Sequence, residues 1–336
     1  MRTQQGSVWA VLLGGGDGPR LKTSAHGAST PTQSGSLNGG PSLLQLSLQR
    51  VFAVSSRERI VAVVTEAHRS WWEPELVALQ RTNVVVQPCD RGTGLGVLLP
   101  LLVIAKSDPE AGVICIPSDH YVEHEEVLAE VMRQATSPGV LSSDKITLLG
   151  MSPIAPDSGF GYLSPAPDSG FGMRPVLKFT EKPDEALAAE LIRAGSLWSS
   201  GIFAGRVSRL VDLYSRVAPG LVLDLKVILE DWPDSFPYAK LASLYARHSP
   251  LDFARDVLQK HPDRLQCLQA PGSIWNDSAG SMRSFDLATA FDHRAAFGSA
   301  RSRDAERTSS PDLSHFVQGG FLKFATNARL PPHDEK

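Results

Sequence analysis

Cysteine is scarce in this sequence. Cys89, Cys115 and Cys267 are odd in number and far apart in a chain of 336 residues, which fits neither a disulfide framework nor a zinc cluster. Cys115, inside Val113-Ile114-Cys115-Ile116, reads as an ordinary core residue. An excess of charge is also missing, because 33 basic and 36 acidic side chains leave a net charge of −3. Bulk attraction to nucleic acid or to an anionic membrane is not expected from that balance, and a small-molecule partner is. No apolar run approaches the length of about 18 residues that reads as a membrane span. No charged start followed by an apolar core and a small-residue cleavage site opens the chain either, so a cytoplasmic protein is the expectation.

Two familiar glycine motifs are absent as well. An apolar run, Trp9 to Leu13, breaks into Gly14-Gly15-Gly16 and is followed by Asp17, Gly18, Pro19, Arg20 and Leu21. No Gly-Lys-Ser/Thr closes this loop and no Gly-x-Gly-x-x-Gly frame fits it, which argues against both the phosphate loop of kinase-like proteins and the dinucleotide fingerprint. Glycines without Cβ atoms still let backbone amides converge on an anion, and an arginine offers a planar fork to phosphate oxygens. The plain alternative is a flexible surface turn.

What is present is an alternation of strand and helix. Residues 8–13 read as a buried strand. A helix from Ser42 to about Val54 is capped by Ser42 and has Leu44, Leu48, Val51 and Phe52 on one face. The stretch between them is rich in Gly, Ser and Thr, and loops that long are uncommon unless functional or disordered, so it is a candidate for closing over a ligand. Arg59 to Val64 reads as a second strand, residues 74–80 as helix, and Asn83 to Val86 as a third strand. This order predicts a parallel sheet covered by helices. After Gln87-Pro88-Cys89-Asp90-Arg91-Gly92-Thr93, an apolar helix runs to about Lys106 with Pro100 inside it. A buried strand at 112–116 ends in Pro117-Ser118-Asp119-His120.

Ligands of open α/β sheets collect at the carboxyl ends of strands, where both Gly14 to Arg20 and Asp119 fall. A carboxylate facing a phosphate loop suits Mg²⁺ shared with phosphate oxygens; the alternative is that Asp119 caps a helix beginning near Glu123. His120 and His124 lie one helical turn apart, but no third zinc ligand stands at a recognisable spacing. Beyond a helix at 124–136 and a strand at 145–150, Ala155 to Gly161 is repeated residue for residue at 166–172. A repeat so short is no solenoid unit and reads as a hairpin with a local duplication. A strand from Pro175 runs into Glu181-Lys182-Pro183, a helix from Asp184 to Arg193 ends at Gly195, and helical patterns occupy much of 207–260. Residues 295–314 are linker-like.

Taken in order, these motifs resemble the sugar nucleotidyltransferases, most of all the mannose-1-phosphate guanylyltransferases. The resemblance rests on Gly15 to Leu21, Ser42 to Leu44, Gln87 to Thr93, Pro117 to His120, Gly159 to Tyr162, Glu181 to Pro183, Trp198 to Phe203 and Trp275 to Asp277. It spans about residues 8–290. It implies a Rossmann-like α/β fold with a mixed, mainly parallel sheet flanked by helices, a catalytic domain over 1–290, and a linker and tail over 291–336. The implied reaction is attack by a sugar 1-phosphate on the α-phosphorus of GTP. Leu13, Gly14, Gly15, Gly16, Gln87, Gly92 and Thr93 would bind nucleotide, and Arg20 would neutralise the departing pyrophosphate. Asp119 and Asp277 would hold Mg²⁺, Lys182 would bind the sugar phosphate, and Gly161, Glu181 and Ser199 would meet the sugar. The implied partners are GTP and a sugar 1-phosphate, with no nucleic acid or membrane, and a homo-oligomer is compatible with the helices of 207–260.

The chain also departs from the family pattern. Thr32 follows Pro31 where the resemblance puts a lysine, Asp90 and Ser199 each replace an asparagine, and Ser278-Ala279 replaces Trp-Gly. The resemblance therefore carries two further readings: a catalytically weakened or silent homologue that binds nucleotide or nucleotide sugar and acts through a partner, and a nucleotidyltransferase for another hexose 1-phosphate. A lysine supplied from nearby, such as Lys22, is one way to replace the missing charge.

Overall fold

A computed structural model describes residues 8–16, 20–22, 29–35, 40–120, 122, 124–167, 172–233 and 236–270. The strands are β1 (Val8–Gly14), β2 (Arg20–Lys22), β3 (Ser29–Pro31), β4 (Ile60–Thr65), β5 (Val84–Gln87), β6 (Gly112–Pro117), β7 (Ile146–Met151), β8 (Gly161–Pro165), β9 (Met173–Glu181), β10 (Leu197–Arg206) and β11 (Leu265–Gln269). The helices are α1 (Leu43–Phe52), α2 (Arg69–Trp72), α3 (Thr93–Ser107), α4 (Glu125–Ala135), α5 (Pro138–Leu141), α6 (Glu185–Arg193), α7 (Val207–Val217), α8 (Pro219–Ile228) and α9 (Tyr238–Arg247). A single π-helical turn covers Phe253–Leu258. Among the described residues no helix is long and apolar enough to cross a membrane. The expected tail, 291–336, lies outside them.

Nine strands form one sheet in the order β5-β4-β1-β6-β10-β7-β11-β9-β8, and β2 and β3 form a separate antiparallel pair. Strands β5, β4, β1 and β6 run parallel, as the alternation predicts. Beyond β6 the expectation of a mainly parallel sheet fails. Strand β10 is antiparallel to β6, β7 and β8, β9 is antiparallel to β8 and β11, and only β11 with β7 is parallel. The reason is in the connections: a parallel pair needs a long crossover, usually a helix, and no described helix lies between β7 and β9.

Successive residues of the central strands serve two cores, as the strand period of two requires. Val11, Val61, Val63, Val113 and Cys115 face a layer built from α3, α7, α8 and α9. Ala10, Leu12, Ala62, Val64, Ile114 and Ile116 face α1, α2 and α4. Helix α3 is apolar all round because it is enclosed: Leu95, Leu98, Leu99, Leu101 and Ile104 are all fully buried, as expected of a helix with sheet on one side and further helices on the other. Each such side chain contributes about 1.5–3 kcal/mol of transfer free energy. Cys115 is core, as expected. Ser42 closes a capping box with Gln45 at the start of α1, and Asp184 accepts from the Leu187 amide at 2.8 Å to start α6, which Gly195 follows at φ 80°.

The helix expected at 74–80 is displaced. The helical turn lies at Arg69–Trp72 instead and stops before Pro74, whose ring nitrogen has no proton to donate. The second copy of the seven-residue repeat lies partly outside the described residues. The first forms a turn in which the Gly159 amide donates to Asp157 Oδ1 at 2.6 Å and the Asp157 amide donates to the Tyr162 hydroxyl at 3.0 Å.

Candidate active site

Four parallel strands end side by side at Gln87, Thr65, Gly14 and Pro117. The glycine loop that leaves β1 is tied down through its carbonyls. Ser118 Oγ donates to the Leu13 carbonyl at 2.8 Å, Gln33 Nε2 to that of Gly14 at 3.2 Å, and Thr65 Oγ1 to that of Gly15. Three side chains from three separate segments thus hold the carbonyls of Leu13, Gly14 and Gly15. Gly15 has a steric reason to be glycine, because a Cβ there would stand 2.2 Å from Gln87 Nε2. Antiparallel pairing sets Arg20 opposite Pro31, so Thr32, which opens the short 3₁₀ turn Thr32–Ser34, lies next in sequence to the partner of Arg20.

The turn after β5 is held by a segment the motif reading did not single out. Gln87 is buried and its Oε1 accepts from the Tyr245 hydroxyl at 3.0 Å. Arg91 Nε donates to the Tyr245 carbonyl at 2.6 Å, and the Leu251 amide donates to the Arg91 carbonyl at 3.0 Å. The Gly94 amide then donates to the Leu251 carbonyl at 2.7 Å, and the Phe253 amide to Thr93 Oγ1 at 2.9 Å. Gly92 sits at φ 84°, its amide donating to Asp90 Oδ1 at 2.7 Å. Asp90 thus supports the turn in this chain although the family pattern has asparagine there. Residues 245–253 carry only generic helical periodicity, so no local signal in the sequence marks them as partners of Gln87 to Thr93.

Asp119 follows β6 with about half of its side chain exposed, 47%. It does not cap α4, whose first turn is preceded by His124. The loop is braced from beneath by Arg50, which is buried, pairs with Glu125 at 2.6 Å and 2.8 Å, and donates to the His120 carbonyl at 3.4 Å. Burial holds the His120 imidazole below its ordinary pKa, with Arg50 acting in the same direction and Asp119 opposing it. Gly201, at φ 73°, brings β10 against this loop; a Cβ there would lie 3.1 Å from Pro117 and 3.9 Å from His120. Ser199 stands on that same strand, where the pairing with β7 becomes irregular.

The third part of the site is the β8–β9 hairpin. Gly161 pairs with Glu181, whose side chain is largely buried, and Lys182 follows at φ 46°, its amide donating to the Phe160 carbonyl at 3.2 Å. Lys182 Nζ is 3.8 Å from Glu181 Oε1 and half exposed. Burial raises the Glu181 pKa above the usual carboxylate range, Asp252 adds to the rise, and Lys182 and Arg255 oppose it. The Glu181 amide donates to Gln259 Oε1 at 2.7 Å. The segment from Leu251 to Gln259 therefore touches both the turn at Thr93 and the hairpin at Glu181. Of the candidates named from sequence, Leu13 to Gly16, Gln87, Gly92, Thr93 and Asp119 gather at the strand ends, and Gly161, Glu181, Lys182 and Ser199 lie on the strands beyond. Arg20 is placed by its backbone. Asp277 lies outside the described residues.

A glycine loop thus stands at the ends of parallel strands, with the Asp119 carboxylate in the loop after the neighbouring strand and the Glu181–Lys182 pair at the end of β9. Residues 9–222 match the family described as Nucleotidyl transferase, and the chain belongs to it. Within that family its relatives include sugar-phosphate enzymes. It is 30% identical over 216 residues to the alginate biosynthesis protein AlgA of Pseudomonas syringae pv. tomato, covering 63% of this chain and 44% of that protein. To the mannose-1-phosphate guanylyltransferase RfbM of Salmonella typhimurium it is 25% identical over 218 residues, 63% of this chain and 45% of that one. The match thus spans about half the length of these relatives. A solved structure from Thermus thermophilus, described as a mannose-1-phosphate geranyltransferase, superposes with TM-score 0.67 at 23% identity over 79% of this chain and 74% of that one, which establishes the fold.

Proposed function

We propose that the chain transfers GMP from GTP to mannose 1-phosphate, giving GDP-mannose and pyrophosphate. The observation that carries this is the placement of Gln87, Gly14 to Gly16 and Asp119 at the carboxyl ends of adjacent parallel strands, with Glu181 and Lys182 at the end of β9. An oxygen of the sugar phosphate attacks the α-phosphorus of GTP, the new P–O bond forms, and the α–β anhydride bond breaks with its electrons leaving on pyrophosphate. Two polyanions must be brought together, so the protein's contribution is charge neutralisation and in-line positioning.

Each residue then has a task. Gly14 to Gly16 present backbone amides to the triphosphate, and Leu13 supports them from the end of β1. Gln87, Gly92 and Thr93 line the base pocket. Lys182, half exposed, meets the sugar phosphate, while Glu181, Gly161 and Ser199 meet sugar hydroxyls. Arg20 neutralises the leaving pyrophosphate. Asp119 fits a Mg²⁺ site, since its carboxylate is accessible and this ion is usually held by one or two carboxylates with phosphate oxygens completing the shell; Asp277 is assigned as the second. When bound, Mg²⁺ screens the charge between the two phosphates.

A second reading has a specific motive in Thr32. It occupies the position of the family's lysine and opens the turn whose Gln33 holds the Gly14 carbonyl. On this reading the chain binds nucleotide or nucleotide sugar without turnover. Pyrophosphate release with a panel of sugar 1-phosphates separates the two readings and tests the choice of hexose: release with mannose 1-phosphate supports transfer, and tight GTP binding without release supports a silent homologue.

A further inference from the structure

We propose that Tyr245 is a positioning residue for base selectivity, holding the Gln87 amide so that its NH₂ end, not its carbonyl end, is offered to the nucleotide. This rests on the reading of Gln87 to Thr93 as the base pocket. The two ends of a glutamine amide are nearly identical in shape and opposite in hydrogen-bonding sense, so a glutamine free to turn over reads bases poorly.

Here the turn is fixed. Tyr245, in the last turns of α9, is fully buried and its hydroxyl meets Gln87 Oε1 at 3.0 Å. The hydroxyl donates to the Oε1 end of the amide, and burial keeps the phenol protonated. The NH₂ end is thereby directed at the glycine loop, where Nε2 lies 2.2 Å from the position a Cβ on Gly15 would take. Side chains longer than hydrogen are excluded at Gly15 by the same contact. The backbone of Tyr245 serves the pocket too, since its carbonyl receives Arg91 Nε at 2.6 Å. One residue of α9 thus fixes both the reading group and the turn that follows it.

The consequence is chemical. An NH₂ donor complements the O6 carbonyl of guanine and the O4 carbonyl of uracil, whereas adenine and cytosine present amino groups at the corresponding edge. Tyr245 therefore favours keto bases over amino bases.

Calorimetric dissociation constants for GTP, UTP, ATP and CTP with Mg²⁺ test this in the full chain, using wild type, Tyr245→Phe, Gln87→Ala and Gln87→Glu, each shown to be folded by thermal melting. The last keeps an acceptor for Tyr245 and removes the donor. In Tyr245→Phe the preference for GTP over ATP should fall about tenfold, as expected for one lost buried hydrogen bond. Binding of mannose 1-phosphate should be unchanged, and Gln87→Glu should abolish the preference. If Tyr245→Phe keeps the wild-type preference while Gln87→Ala loses it, the positioning role is overturned and the base pocket stands. If Gln87→Ala and Gln87→Glu both keep it, or wild type binds none of the four nucleotides, the base-pocket reading falls and the proposal with it.

Discussion

The carboxylate of Glu181 occupies the space that a side chain on Gly161 would need: across the β8–β9 ladder, Oε2 lies 2.7 Å from the position of a Cβ at 161, with the Phe179 ring at 2.9 Å. Gly161→Ala is expected to push Glu181 out of place and cost about 1–3 kcal/mol of stability, as overpacking does. On the proposed assignment the KM for mannose 1-phosphate should rise about tenfold, with that for GTP changed much less. Steady-state kinetics with each substrate varied in turn checks this, and an equal rise in both would contradict a separate sugar side.

Glu181 also predicts a pH effect. Its native pKa lies above the ordinary value because of burial and Asp252. The stability it contributes is therefore complete below its unfolded value, about 4.3, and is lost as pH rises through the native pKa. Glu181→Gln carries no such loss. The melting temperature of wild type relative to Glu181→Gln should thus fall as pH rises above about 4.3; a difference that stays constant as pH rises would contradict the assignment.

Gly92 combines two demands. It adopts φ 84°, and a Cβ there would stand 2.4 Å from the Leu251 carbonyl oxygen. Gly92→Ala should cost about 1–3 kcal/mol from backbone strain alone, more if Leu251 cannot yield, and should weaken GTP binding by loosening the turn against Leu251 to Phe253. Urea unfolding with GTP calorimetry measures both quantities.

Arg50 and Glu125 are unequally placed. The arginine side chain is buried at 1% exposure, whereas Glu125 is 41% exposed. Removing Glu125 leaves a buried cation, while removing Arg50 leaves a carboxylate that water can reach. Glu125→Ala should therefore cost about 3 kcal/mol and Arg50→Met less, with both loosening the loop of Asp119 and His120 and raising the Mg²⁺ concentration needed for nucleotide binding. Chemical denaturation gives the first comparison and Mg²⁺ titration the second.

Much of the fold follows from local sequence. The parallel half is legible in its apolar strands and intervening helices, and the placement of Gly14 to Gly16 and Asp119 follows once those strands are parallel. The polarity of β8 to β11 is not legible, because strands far apart in sequence pair there, β10 inserting between β6 and β7 and β11 between β7 and β9, and no local pattern shows that order. The pattern at 74–80 reads as helix, but the structure forms turns there. Tyr245 and Asp252 went unmarked because their roles arise across 158 residues in one case and between β9 and the π-helical turn in the other; neither has a spacing that a motif could show.

The position of Thr32 makes one assay decisive. Backbone pairing puts Arg20 opposite Pro31, the residue before Thr32, and the family pattern has a lysine at position 32. Pyrophosphate release from GTP and mannose 1-phosphate, with Mg²⁺, should be measured for wild type and Thr32→Lys. The account predicts release by wild type that requires both substrates, and a rate about 10²-fold higher in Thr32→Lys. Folded wild-type protein that releases no pyrophosphate with mannose 1-phosphate or any other sugar 1-phosphate would contradict it.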